Sequence, residues 1–171
     1  ATHLDGARIF NACVGLGMPA KDLCRGFDSV SVCLSKGLGA PAGTVLVGSR
    51  ELIKNARRAR KILGGAMRQA GVIAAAGLYA LEHNVERLAE DHANAERLAR
   101  GLRDAGYEVE GPHTNMVFAR ISTEKLPLLK THFEKHRVQI IPGARLRLVT
   151  HLDVDVAGIE RALDAFRSMA A

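Results

Sequence analysis

Lys36 lies in Ser29-Val-Ser-Val-Cys-Leu-Ser-Lys-Gly-Leu-Gly39, directly behind a strand-like run and between a serine and two glycines. A solvated lysine favours a helix flank, whereas this one sits where a strand ends and glycines let another group approach the backbone closely. An amine held there can lose its proton through desolvation and condense with a carbonyl as a Schiff base. Asp5, in His3-Leu-Asp-Gly-Ala-Arg8, precedes it by about 30 residues, the length of one strand–helix–strand crossover. Two neighbouring parallel strands would then deliver both side chains to one sheet edge. An amine for an aldehyde and a carboxylate for a pyridinium nitrogen are what a pyridoxal phosphate enzyme needs. The plainer readings are a lysine snorkelling from a loop and an aspartate capping the helix that begins at Gly6.

The periodicity supplies elements to position this pair. Residues 2–5 read as a short strand, 7–16 as a helix closed by Gly15 and Gly17, 20–25 as a helical turn, 29–34 as the strand before the Lys36 loop, and 43–48 as another strand. Ser49 reads as the cap of a helix to about Leu63, with Glu51 in its first turn and Gly64-Gly65 breaking it. Helical periodicity then runs from 69 to about 105 with one bend, long enough to tie two lobes together. Short strands at 107–110 and 116–121, a helix at 124–136, strands at 138–141 and 145–149 and a helix at 156–169 complete the pattern. The expected fold class is α/β: a larger domain over residues 1–100, including the linking helix, and a small C-terminal α+β domain over 101–171.

Composition narrows the function classes. Hydrophobic residues make up 47% of the 171, enough for a packed core and too many for a disordered chain. The longest uncharged apolar run, 70–81, is too short to span a bilayer, and the amino end has no signal-peptide layout. Cys13, Cys24 and Cys33 are odd in number and match neither a disulfide framework nor a metal knuckle, so reduced thiols in a cytoplasmic protein are expected. The net charge of +6 suits anionic ligands, yet aromatic residues for base stacking are only 4%, so Arg57-Arg-Ala-Arg-Lys61 reads as a solvated helix face and no nucleic-acid partner is expected. No His/Cys/Asp cluster has catalytic-metal spacing. His83, His92, His132 and His136 fall on polar helical stretches and are expected to be exposed; His3 is a core histidine or a neighbour of the site.

Five segments occur in an order that carries a family resemblance. They are His3-Leu-Asp-Gly-Ala-Arg8, Asp28 to Gly43 around Lys36, Arg58-Ala-Arg-Lys-Ile-Leu-Gly-Gly-Ala-Met-Arg-Gln-Ala-Gly71, Thr114-Asn-Met-Val117 and Arg147-Leu-Val-Thr-His-Leu-Asp153. Together they resemble the low-specificity L-threonine aldolases, pyridoxal phosphate enzymes of the aspartate-aminotransferase fold. Ala66 stands where a third glycine is usual, Ala42 where valine is common, and the stretch between Val138 and Arg147 is abbreviated. The resemblance implies a retro-aldol cleavage of L-threonine or L-allo-threonine, small β-hydroxy-α-amino acids, to glycine and acetaldehyde. A transaminase or β-eliminating lyase of the same fold, and a non-catalytic fragment, are the alternatives.

The resemblance also assigns residues. Lys36 becomes the Schiff-base lysine and Asp5 the partner of the pyridinium nitrogen. Arg8 would contact the ring-hydroxyl side, Ala7 would lie beneath the ring, and Ser35 would give its hydroxyl to the phosphate. Arg68, with Lys61 near the same site, would reach the phosphate across a subunit boundary, implying a homodimer or homotetramer. Arg147, opposite its apolar neighbours in Leu146-Arg-Leu-Val149, would grip the substrate carboxylate through two parallel hydrogen bonds. Bland readings stand beside these: a surface arginine for Arg8, a strand-end cap for Ser35, a basic helix face for Lys61. The large domain's first half, with its phosphate loop, ring-stacking residue and general base, is expected in sequence outside these 171 residues, on the same or another chain.

Overall fold

The computed structural model describes residues 1–170 and divides them into a first unit, Ala1–Leu88, and a second unit beginning at Ala89. In the first unit, β1 (His3–Asp5) is followed by α1 (Ile9–Leu16), α2 (Ala20–Leu23) and β2 (Ser29–Cys33), which pairs parallel to β1 with Leu4 opposite Val30 and Asp5 opposite Ser31. Strand β3 (Thr44–Gly48) returns antiparallel along β2, giving the order β1-β2-β3. Alternation along the strands sorts the side chains onto two faces. Leu4, Val30 and Val32 pack with Ile9 and Cys13 of α1 and Leu23 of α2. The opposite face carries His3, Asp5, Ser29, Ser31 and Cys33, and the His3 Nδ1 and Ser29 Oγ atoms lie 2.8 Å apart across it.

Helix α3 (Arg50–Ile62) starts where expected, the Ser49 side chain accepting a 3.2 Å hydrogen bond from the Leu52 amide. It has no buried residue, so its basic positions form a solvated face. The long helical stretch is broken: α4 (Gly71–His83) ends at Asn84, and α5 (Leu88–Asp104) begins after a short connection. The unit division therefore lies ahead of most of α5.

The second unit builds an antiparallel sheet, β4 (Val109–His113), β5 (Met116–Arg120) and β6 (Arg145–Val149), with β5 in the centre. Its inner face, Val117, Ala119 and Leu146, packs against Leu98 and Leu102 of α5, Leu129 and Phe133 of α6 (Leu129–Lys135), and Ile159, Leu163 and Phe166 of α7 (Val156–Ala170). Phe133 and Tyr107 both meet Phe166 edge-on, with ring centroids 4.7 and 5.3 Å away. The helix expected at 124–136 divides into a 3-10 turn (Thr123–Leu128) and α6, because Pro127 has no N–H to give an α-helical bond. The strand expected at 138–141 does not form. Val138 and Ile140 still pack on the core, whereas Ile141 is 89% exposed and finds no strand partner.

Candidate cofactor and substrate site

The turn after β1 is fixed by backbone proximity. The Gly6 amide donates to the Ser31 carbonyl at 2.8 Å, and a Cβ on Gly6 would stand only 2.8 Å from that same oxygen, so any side chain would push the turn off β2. Asp5 ends β1, and one of its carboxylate oxygens accepts the Ala7 amide at 3.1 Å; the other has no partner among the described residues. Asp5 therefore does cap the turn, with one oxygen left over for a further donor. Arg8 occupies the residue before α1 and is half-buried.

Strand β2 runs past Asp5 toward the same sheet edge before the chain turns through Lys36. The loop is closed at its base by Leu34, whose amide donates to the Gly43 carbonyl (2.9 Å) and whose carbonyl accepts the Ala40 amide (3.0 Å). Within it the Gly39 amide donates to the Lys36 carbonyl at 2.8 Å. Gly37 and Leu38 are buried, and a Cβ on Gly37 would meet Leu88 at 3.0 Å and the Asn11 side-chain oxygen at 3.3 Å. Ser35 and Lys36 project outward and are exposed, so this chain's own residues do not desolvate the amine. Ala7 and Arg8 line a small cavity together with Cys33, Gly37 and Leu38, which brings the Asp5 turn and the Lys36 loop together. An uncommitted primary amine and a half-committed carboxylate at the carboxyl ends of two parallel strands fit pyridoxal phosphate, where ligands of open α/β sheets bind.

Arg68 and Lys61 occupy a different part of the first unit. Lys61 is in the last turn of α3, Arg68 follows the Gly64-Gly65 break, and both side chains are exposed without a hydrogen bond or ion pair among the described residues.

In the second unit, Arg147 stands on the outer face of β6, paired in register with Phe118. Its neighbours are already neutralised: Arg145 bonds Glu110 at 2.8 Å and lies 3.8 Å over the Phe118 ring, and Arg120 bonds Glu108 at 3.0 Å. The Arg145 guanidinium holds the Glu110 carboxyl below the ordinary carboxylate range. Arg147 itself has no partner among the described residues, which leaves a guanidinium available to an anion.

Several residues escaped the sequence reading. Asn84 donates its side-chain amide to the Leu38 carbonyl at 2.8 Å, two residues beyond Lys36. Asn11 is 3% exposed beneath Gly37. Asn115 and Thr150, each within a family-like segment, are a buried pair: the Asn115 side chain donates to the Thr150 carbonyl (2.7 Å) and the Thr150 amide to the Asn115 carbonyl (3.0 Å), while the Thr150 hydroxyl donates to the Asp91 carbonyl (2.6 Å). The core alternative for His3 and the exposure expected of His92, His132 and His136 do not hold, whereas His83 is exposed as expected. His3 is exposed on the polar sheet face, while His92, His132 and His136 are half-buried, the last two flanking the Ser168 hydroxyl at 3.2 Å each. Burial pushes His92 below the usual histidine value. Among the described residues no group of His, Cys, Asp or Glu gathers that could hold a metal ion, and no helix is long and apolar enough to cross a membrane.

The pattern of the beta-eliminating lyase family matches residues 1–124, more than half of the chain. The chain belongs to that family. Its members are pyridoxal-phosphate-dependent lyases. The chain is 52% identical over 154 residues to a low specificity L-threonine aldolase of Escherichia coli O157:H7, covering 90% of this chain and 46% of that protein. It is 42% identical over 176 residues to low-specificity L-threonine aldolase 1 of Arabidopsis thaliana, covering 96% and 48%. The chain thus spans about half the length of the curated relatives it matches. A solved threonine aldolase of Leishmania major superposes with a TM-score of 0.78 at 20% identity, covering 99% of this chain and 52% of that one. That likeness shows the fold: part of the α/β architecture of type I pyridoxal phosphate enzymes.

Proposed function

We propose that the full-length protein cleaves L-threonine or L-allo-threonine to glycine and acetaldehyde, and that these 171 residues supply the cofactor-anchoring amine, its carboxylate partner and the substrate-carboxylate grip. The observation that carries this reading is the parallel pairing of β1 with β2, which sends Asp5 and the Lys36 loop to one sheet edge. The 52% identity to a low specificity L-threonine aldolase supports the choice of reaction.

When bound, pyridoxal phosphate supplies an electron-poor ring able to take up the electron pair of the breaking Cα–Cβ bond. Lys36 would hold its aldehyde carbon, and Asp5 would keep a proton on the ring nitrogen through the oxygen that the Ala7 amide leaves open. Ala7 would leave room beneath the ring, Arg8 would contact its hydroxyl side, and Ser35, which is exposed, would give its hydroxyl to the phosphate. Lys61 and the exposed Arg68 serve the phosphate of a second copy, which makes the working unit a homodimer or homotetramer. Arg147 orients the amino acid by its carboxylate. A base from outside these residues takes the β-hydroxyl proton, acetaldehyde leaves, and protonation at Cα yields glycine. We place the protein in the cytoplasm on its reduced cysteines.

β-Elimination is the second reading, favoured by the description of the matched family. The full-length holoenzyme incubated with L-threonine separates the two. Glycine and acetaldehyde in equal amounts support the aldol reading; 2-oxobutyrate with ammonia supports elimination.

A further inference from the structure

We propose that Asn84 is a positioning residue for Lys36, acting through the loop that carries it. The inference rests on the assignment of Lys36 as the cofactor-anchoring amine. The loop satisfies two of its carbonyls internally, Leu34 with the Ala40 amide and Lys36 with the Gly39 amide. The carbonyl of Leu38 receives its hydrogen bond from the Asn84 side chain, 46 positions away in sequence. Leu38 is 3% exposed, so losing that donor leaves a polar atom in a nearly dry setting, and the loop must move to hydrate it.

Asn84 is well placed to hold the loop still. It terminates α4, its own amide donating to the Ala80 carbonyl at 3.0 Å, and Ala80 is 1% exposed. The side-chain amide therefore projects from a fixed helix end. The Leu38 side chain packs in one cluster with Leu34, Ala80 and Leu88, with Val85 against it, and Gly37 is confined between Leu88 and Asn11. Lys36 is held from behind by this assembly while its amine stays outside. A loop anchored on one side only would leave the amine several rotameric and backbone positions, and reacting groups displaced by about 1 Å lose roughly a hundredfold in rate.

The test compares Asn84→Asp, which keeps size but removes the donor, with Asn84→Ala, in the full-length protein. Amide hydrogen exchange without cofactor is expected to quicken roughly tenfold or more at Gly37, Leu38 and Gly39 in both variants, with α7 unchanged, as loss of one buried hydrogen bond predicts. With cofactor bound, kcat is expected to fall roughly tenfold with KM within about twofold, and the pH midpoint of the visible absorbance to move, because a loosened amine changes the chemical step rather than substrate binding. Unchanged exchange at 37–39, or faster exchange spread evenly over the chain, would overturn the positioning role. If wild-type protein carries no borohydride-fixable cofactor on Lys36, the functional assignment fails instead, and the exchange data alone decide whether Asn84 holds the loop.

Discussion

The second unit closes its core, whereas the first leaves much of its apolar surface open, and the candidate chemistry is concentrated in the open one. In the second unit a sheet face and three helices share one continuous cluster in which Val117, Leu129 and Phe133 have no exposure at all. In the first unit β3 is exposed along its whole length, α3 has no fully buried residue, and the segment from Ile62 to Met67 displays large apolar side chains. Sheets with parallel strands are ordinarily covered on both faces, and contiguous exposed apolar area marks a surface that other polypeptide covers. The polar face holding Asp5 and Ser31 meets α3 only at its β3 side among the described residues, where a Cβ on Gly48, paired with Ser29, would stand 3.1 Å from Leu52. A binding edge shaped by two short strands thus depends on material beyond its own core, while the second unit carries Arg147 on a self-sufficient scaffold.

The largest effect that separates the two units is chemical. Lys36→Ala should abolish the cofactor's visible absorbance in the full-length protein, since it removes the uncommitted amine at the strand edge, while the unfolding of the second unit stays unchanged. Colour that borohydride fixes to a peptide lacking Lys36 would refute the assignment. Next comes packing. Phe166→Ala deletes a ring that is 1% exposed and edge-packed on Phe133 and Tyr107, so about 3–5 kcal/mol should be lost in urea unfolding. Val47→Ala, at a position 53% exposed, should cost under about 0.5 kcal/mol in the 171-residue chain. A markedly larger Val47 cost in the full-length protein would show β3 covered there, sharpening the contrast; equal costs in the isolated chain would break it.

Arg147→Lys should act on binding. Replacing a bidentate, charge-assisted contact by a point charge costs about 1.5–3 kcal/mol, which raises KM for the amino acid roughly tenfold or more with kcat little changed. A normal KM would mean that Arg147 belongs to the surface charge pattern of the outer sheet face, like Arg145 and Arg120.

The units also differ in how far the sequence revealed them. Strand, turn and cap signals near the chemistry were strong: Ser49 caps α3, and the apolar alternation of 29–34 gave β2 nearly to its ends. Asp5 and Lys36 stood out as candidates because residue type, glycine context and crossover spacing all point one way. Asn84 was not, since a single asparagine in a helical pattern reads only as a weak interruption, and its partner Leu38 lies 46 positions away. The Val138 to Ile141 stretch misled because apolar alternation shows that side chains pack, not that a neighbouring strand is there to pair. The exposure of Lys36 was equally hidden, because desolvation comes from what surrounds a loop rather than from the loop itself.

The smallest effect concerns the pair beside Arg147. Arg145 donates to Glu110 at 2.8 Å, and chiefly through that bond the Glu110 carboxyl titrates below its ordinary value. A depressed carboxyl stabilises the fold above its unfolded-state pKa, and that contribution disappears as pH falls through the lowered folded value. Wild-type protein should therefore lose a small increment of Tm in that acidic window, and Glu110→Gln, which has no such titration, should show a flatter profile there. Both groups are well exposed, so added salt should bring the two profiles together. Glu110→Gln also leaves Arg145 a second cation without a counter-charge near Arg147, still over the Phe118 ring and able to donate only to a neutral carboxamide oxygen. If Arg147 alone grips the substrate, KM should stay within about twofold of wild type, because Arg145 gains no bidentate partner. A lowered KM in Glu110→Gln would instead extend the anion-binding face to Arg145, making the outer sheet of the self-sufficient unit a broader site than one guanidinium.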